Sequence, residues 1–277
     1  MSSMRALQLA ALVATSLIGF ESFAAAAECT QPDTPIETDR PDVTNSSIVV
    51  PVGSFQSENG VDTSRDHGAD MLSGTNSRWR LGIAPCLEVL VDLPNYVTTF
   101  HNAGPSGFGD VAPALKWQIS PLPGKFDLSV TVGAALPTGA TGISGPGVQP
   151  YIQIPWSIEL GGGWDIHGME TNFFMPSSDA KFTYQSTLVL EKEFMERSFL
   201  FVEYVGDFPA DRRSGQLINS GGGYRIDDHQ QIDFHVGVGL DRNAPAYIFG
   251  VGYSFRLDGV LRDHSSGSAP RSGFAAR

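Results

Sequence analysis

The sequence predicts an all-β fold, a transmembrane antiparallel up-and-down β-barrel of about 12 strands, and three observations carry that prediction. The first is alternation. Through Gln231–Leu257, Ile232, Phe234, Val236, Val238 and Leu240 alternate with Asp233, His235, Gly237, Gly239 and Asp241. After Arg242 to Ala246 the pattern resumes, with Tyr247, Phe249, Val251, Tyr253, Phe255 and Leu257 against Ile248, Gly250, Gly252, Ser254 and Arg256. A period of two means strands with one bulky apolar face and one small or polar face. The second is number: runs of this kind recur from Gly53 onward to an even total, as a closed bacterial barrel requires. The third is the spacing between runs, in which short and long connections alternate.

Taken in order, Met1 to Ala27 reads as a signal peptide. Arg5 is the positive start, Ala6 to Phe20 the apolar core and Ala24 to Ala27 the small-residue cleavage region. The chain has 277 residues and a net charge of −12, and removing the leader takes away Arg5 and Glu21 and leaves that charge unchanged. An acidic protein without basic clusters is a poor nucleic-acid binder. No later segment is apolar for the length of a membrane helix, and the mean hydropathy is −0.07. That excludes a helical membrane protein and leaves room for a barrel, in which half of each strand is polar.

Residues 28–52 are rich in Pro, Thr, Asp and Ser and lack alternation, so they are expected to be an irregular periplasmic or plug-like segment. The barrel is expected over 53–257, with strands at 54–63, 72–83, 87–96, 109–119, 127–136, 149–158, 163–173, 182–191, 198–205, 216–226, 231–241 and 247–257. Even-numbered connections are tight, as in Ala84-Pro85-Cys86 and Glu159 to Gly162. Odd-numbered ones are longer, as in Asn95 to Phe108 and Pro137 to Val148, with Arg242 to Ala246 the one short outer loop. That asymmetry suits a barrel with both termini in the periplasm, and a soluble β-sandwich gives no reason for it. The tail 258–277 is Ser, Gly, Arg and Asp rich and is expected to be disordered.

The chain also resembles a family of outer-membrane transporters named after the meta-cleavage pathway of phenol degradation. The likeness lies in Glu37-Thr38-Asp39-Arg40-Pro41-Asp42 and Val50-Pro51-Val52-Gly53-Ser54-Phe55-Gln56-Ser57-Glu58. It continues in Arg80-Leu81-Gly82-Ile83, Gly107-Phe108-Gly109-Asp110-Val111, Ala135-Leu136-Pro137-Thr138-Gly139, Phe201-Val202-Glu203-Tyr204 and Gly250-Val251-Gly252-Tyr253. The resemblance covers about 37–257. It implies an outer-membrane barrel that passes small compounds, aromatic ones among them, and it brings no set of binding residues. Cys86, in a turn commonly polar in the family, and the long tail depart from its pattern.

Several side chains are candidates for function. Arg78, Arg80, Glu88, Asp92, Asp110, Lys116, Glu191, Glu203, Arg225, Asp233, Asp241 and Arg256 face inward in this register. They either line a selective pore or form a salt-bridge network that fills a narrow barrel. Their mixed sign predicts weak ion selectivity. Asp39, Arg40 and Asp42 are candidates for a lumen plug, with a turn or periplasmic docking segment as the alternative. Cys29 and Cys86 fall on one side of the membrane, where a disulfide and two free thiols are both open. His167 and His235 have no second ligand at metal spacing, and Gly161 to Gly163 and Gly221 to Gly223 lack the signature of a phosphate loop. No metal, cofactor or catalytic set is expected.

The function these readings support is a passive channel in the cell outer membrane of a Gram-negative bacterium, for small polar or amphipathic solutes. Expected partners are outer-membrane lipid, the barrel-assembly machinery and a small-molecule solute, with no nucleic acid. The alternatives are a lipid-active outer-membrane enzyme and a structural barrel without an open pore.

Overall fold

A computed structural model of the chain describes residues 29–66, 68–100, 104–119, 122, 125–175 and 182–261. The leader and most of the tail lie outside the described residues. Twelve staves form one closed antiparallel barrel. The first is β1 (Phe55–Asp66). Each of the next three is built from two segments: β2 (Ala69–Gly74) with β3 (Arg78–Ala84), β4 (Leu87–Asp92) with β5 (Tyr96–Phe100), and β6 (Gly107–Phe108) with β7 (Ala112–Gln118). Then come β8 (Phe126–Ala135), β9 (Gln149–Gly161), β10 (Trp164–Phe174) and β11 (Phe182–Phe194). The last four are β12 (Ser198–Pro209), β13 (Gly215–Asp227), β14 (Gln230–Gly239) and β15 (Tyr247–Leu257). Closure is by β1 on β15, in register from Phe55 with Leu257 to Arg65 with Tyr247, so no edge is left open.

The number of staves agrees with the periodicity, but their continuity and some of their ends do not. Three neighbouring staves break at 75–77, 93–95 and 109–111. Pro94 has no N–H to give a ladder there. The polar side chains at the breaks bond one another instead: Asn95 donates to Ser73 and Asn76, Asn76 to Asp62, and Ser77 to Asn59. β14 ends at Gly239, short of Asp241, so the last outer connection runs 240–246 and is longer than the expected Arg242 to Ala246. β12 reaches Pro209, which shortens its outer connection to 210–214.

The two faces of the wall are inverted relative to a soluble protein. Trp79, Leu115, Trp117, Val132, Leu188 and Val236 stand outward and exposed, while Glu58, Arg80, Glu88, Lys116 and Glu203 point inward and have no exposure at all. A soluble sandwich would bury the first set and wet the second. A barrel in lipid does the reverse, because a charge on the lipid face would have no water to hydrate it. Glu170 departs from this alternation. It stands on the outer face, where it accepts hydrogen bonds from the hydroxyls of Tyr184 and Ser186.

Candidate functional site

Residues 29–52 thread the lumen without forming strands. Pro32, Pro35, Pro41 and Pro51 each remove a backbone donor. Several of the donors that remain are met by side chains of the wall, and others by the segment itself, as in Ser46 N–H to Asp39 and Ile48 N–H to Ser46, since buried backbone N–H groups must find partners. Asp39 N–H donates to Glu58, at 2.9 Å. Val43 and Thr44 N–H donate to the Glu203 carboxylate, at 3.0 and 2.9 Å, and the Thr44 hydroxyl adds a third bond at 2.7 Å. Val49 N–H donates to Gln118 and Val50 N–H to Glu88. Wall carboxylates thus do for this segment what a neighbouring strand would do.

Both ends of the segment are fastened at the periplasmic mouth. Cys29 is bridged to Cys86 in the first inner turn, with Cα atoms 5.2 Å apart. Arg256 donates to the carbonyls of Pro32 and Thr34 and pairs with Asp258 at 2.9 Å. Asp258 lies beyond the last strand. Burial works against its ionisation, but donors from Ser54, Arg256 and His229 outweigh that and hold its carboxyl below the ordinary range. Leu261 N–H donates to Gly53 O, so the first residues of the expected tail close against the start of β1. The remainder of that tail, 262–277, is outside the described residues.

In the interior, Asp39 is the hub of an ion-pair network. Its carboxylate lies 2.9 Å from Arg78 and 3.4 Å from both Arg80 and Lys116. Arg80 also pairs with Glu58 at 3.1 Å and Glu88 at 2.9 Å, and Arg78 with Asp92 at 2.6 Å. The inward charges therefore divide. Arg80, Glu88, Lys116 and Glu203 are fully sealed and hold the threaded segment, whereas Arg78, Asp92 and Asp110 border open space. Asp110 sits between strands, and its carboxylate ties down the outer loop by accepting from Gly139, Gly145 and Ser144. Asp241 is not a wall residue; it accepts from Asn243 N–H in an outer turn. Arg225 pairs with Glu193 at 2.6 Å.

Open space remains on both sides of the threaded segment. An outer cavity of about 320 Å³ lies against Arg78, Asp92, Asn95 and Asp110. An inner cavity of about 510 Å³ lies against Glu37, Glu159, Asp165, Glu191 and Arg225 near the periplasmic turns. Arg40 and Asp42 border both. Arg40 reaches Asp233 at 3.2 Å and Asp62 at 3.9 Å. Its guanidinium occupies the room left by Gly60 and Gly252, where any Cβ would collide with it. Gly252 on β15 and Gly60 opposite it on β1 thus leave the space that this side chain fills. Asp42 reaches the opposite wall at His167, 3.2 Å away. His235 sits between Asn219 at 3.2 Å and Asp62 at 3.3 Å. Nothing in the local sequence marks the Asp42–His167 pair or the bond from Asn45 to Gln153, and the inward glycines opposite Arg40 are the nearest signal of a threaded segment.

Among solved structures, the barrel is similar to the COG4313 outer membrane channel from Pseudomonas putida F1. The identity is 13%, the TM-score 0.62, and the match covers 83% of this chain and 100% of that one. It is also similar to the NanC porin, with 7% identity, a TM-score of 0.53, and coverage of 73% of this chain and all of the porin chain. At such identities the likeness speaks for the fold. Comparison with curated protein sequences finds no match. A family profile matches residues 38–257, from the threaded segment to the end of β15, and the chain belongs to the family described as "Putative MetA-pathway of phenol degradation".

Proposed function

We propose that the protein is an outer-membrane channel for small solutes, in which the path runs from the outer cavity past Arg40 and Asp42 into the inner cavity. The observation that carries this reading is that these two residues of the threaded segment border both cavities. A sealed barrel would need no such paired space, whereas a selective channel needs a vestibule on each side of its narrowest point. The inner cavity mixes charged groups with Ile36, Ile48 and Phe199, which supports small amphipathic solutes. The family description adds aromatic compounds as the first class to test. The apolar outer wall suits outer-membrane lipid, and an antiparallel barrel of this kind is a substrate for the barrel-assembly machinery.

Single-channel recording in planar bilayers tests the proposal. The wild type should show small discrete conductance steps, and Arg40→Ala with Asp42→Ala should enlarge them, because both side chains narrow the junction. Absence of current in both proteins, with heat-modifiable gel migration proving that each is folded, would refute the channel.

A further inference from the structure

We infer that the path favours cations, and that its charge preference is set in the inner cavity by the carboxylate row Glu159–Asp165–Glu191 together with Glu37. This rests on the channel reading above and deepens it. A count of inward charges along the sequence mixes both signs and argues for weak selectivity. Threading the lumen changes the count, because it removes bases from the path. Arg80 and Lys116 are sealed at zero exposure, and Arg256 is spent on carbonyl groups at the mouth. Sealing also removes Glu88 and Glu203, but the threaded segment returns Glu37 and Asp42 to the open space.

The bases left beside the inner cavity are already engaged. Arg225 is paired with Glu193, Lys125 with Glu159, Arg40 with Asp233 and the His167 imidazole with Asp42. Against them the strand register sets Glu159 beside Asp165, and Asp165 beside Glu191, on three adjacent strands. Like charges directly opposite one another repel, so this row is unfavourable unless something positive stands before it. Among the described residues, Asp165, Glu191 and Glu37 have no basic group within ion-pair distance, and all three border the inner cavity. Carboxylates that line one side of a confined path lower the energy of a cation and raise that of an anion. The class of solute this admits best carries a positive group, whether a metal cation or an organic amine, and free carboxylates are disfavoured.

The test is the reversal potential under a potassium chloride gradient, in mildly alkaline buffer, with the full-length protein in planar bilayers. The wild type should pass potassium several-fold more readily than chloride. Asp165→Asn with Glu191→Gln should bring the ratio close to one while single-channel current persists. Glu37→Gln, on the threaded segment and outside the barrel wall, should lower the ratio in the same direction if the wall double variant folds poorly. A wild-type ratio at or below one, or a ratio unmoved by these changes, would overturn the cation preference and leave the channel standing. No current at all would bring down the channel reading itself, and this inference with it.

Discussion

Replacing Glu203 by leucine tests whether the wall holds the threaded segment as described. The carboxylate is fully buried and accepts from the N–H groups of Val43 and Thr44, the Thr44 hydroxyl and the Asn219 amide. Leucine keeps most of the volume and offers no acceptor. Four donors then face an apolar group while still shut away from water, and each buried donor left unmet costs about 1–3 kcal/mol. Some will find partial substitutes, so a loss of about 3–5 kcal/mol in the seating of 43–44 is the reasonable figure. That corresponds to a hundredfold or greater rise in the open population. The barrel ladders do not pass through this carboxylate, so heat-modifiable migration should persist. Hydrogen exchange followed by mass spectrometry should show rapid exchange at Val43 and Thr44 in Glu203→Leu, with Glu203→Gln, which retains one acceptor oxygen, in between. Wild-type protection in the leucine variant would refute the account of how this segment is held.

Three further outcomes are expected. The oxidised, unfolded protein should show no reactive thiol, and Cys29→Ser should lose about 4 kcal/mol in the chain-entropy model, since the bridge spans 57 positions. Two reactive thiols in the oxidised wild type would contradict it. Asp110→Asn should loosen the outer loop 137–148, because an amide has one acceptor oxygen for the three donors of Gly139, Ser144 and Gly145 that now share two. Limited proteolysis should cut that loop faster in the variant than in the wild type, and equal rates would refute the contact. Leu188→Arg, on the exposed outer wall, should cost about 2–4 kcal/mol if the site lies near the bilayer midplane, measured by reversible folding into liposomes. A neutral effect would argue that this face does not meet lipid.

Strand number and facing were legible because they are local properties. A period of two is written into adjacent residues, and Trp79, Leu81, Arg78 and Arg80 took their sides from it without knowledge of any partner. Breaks within staves were not legible. Whether Leu93-Pro94-Asn95 stays in a ladder depends on Ser73 and Asn76 across the sheet, which supply the alternative bonds. The segment before β1 announced its lack of regular structure through its prolines, but not its path.

The amino-acid sequence by itself determined the class of fold, the even count of strands and, apart from Asp110 and Asp241 at the strand ends, which side chains face inward, since each follows from alternation and the spacing of turns. Only the tertiary structure decided what those inward charges do. Asp39 meets Lys116 across 77 positions of chain and Val43 meets Glu203 across 160, and such pairings depend on how a closed, tilted sheet brings distant staves around one segment. Arg80 and Lys116 read like Arg78 in the sequence, yet the first two are sealed under Asp39 while the third borders open space. The difference is one of depth and coverage by the threaded chain. Neither is encoded in a residue's immediate neighbours.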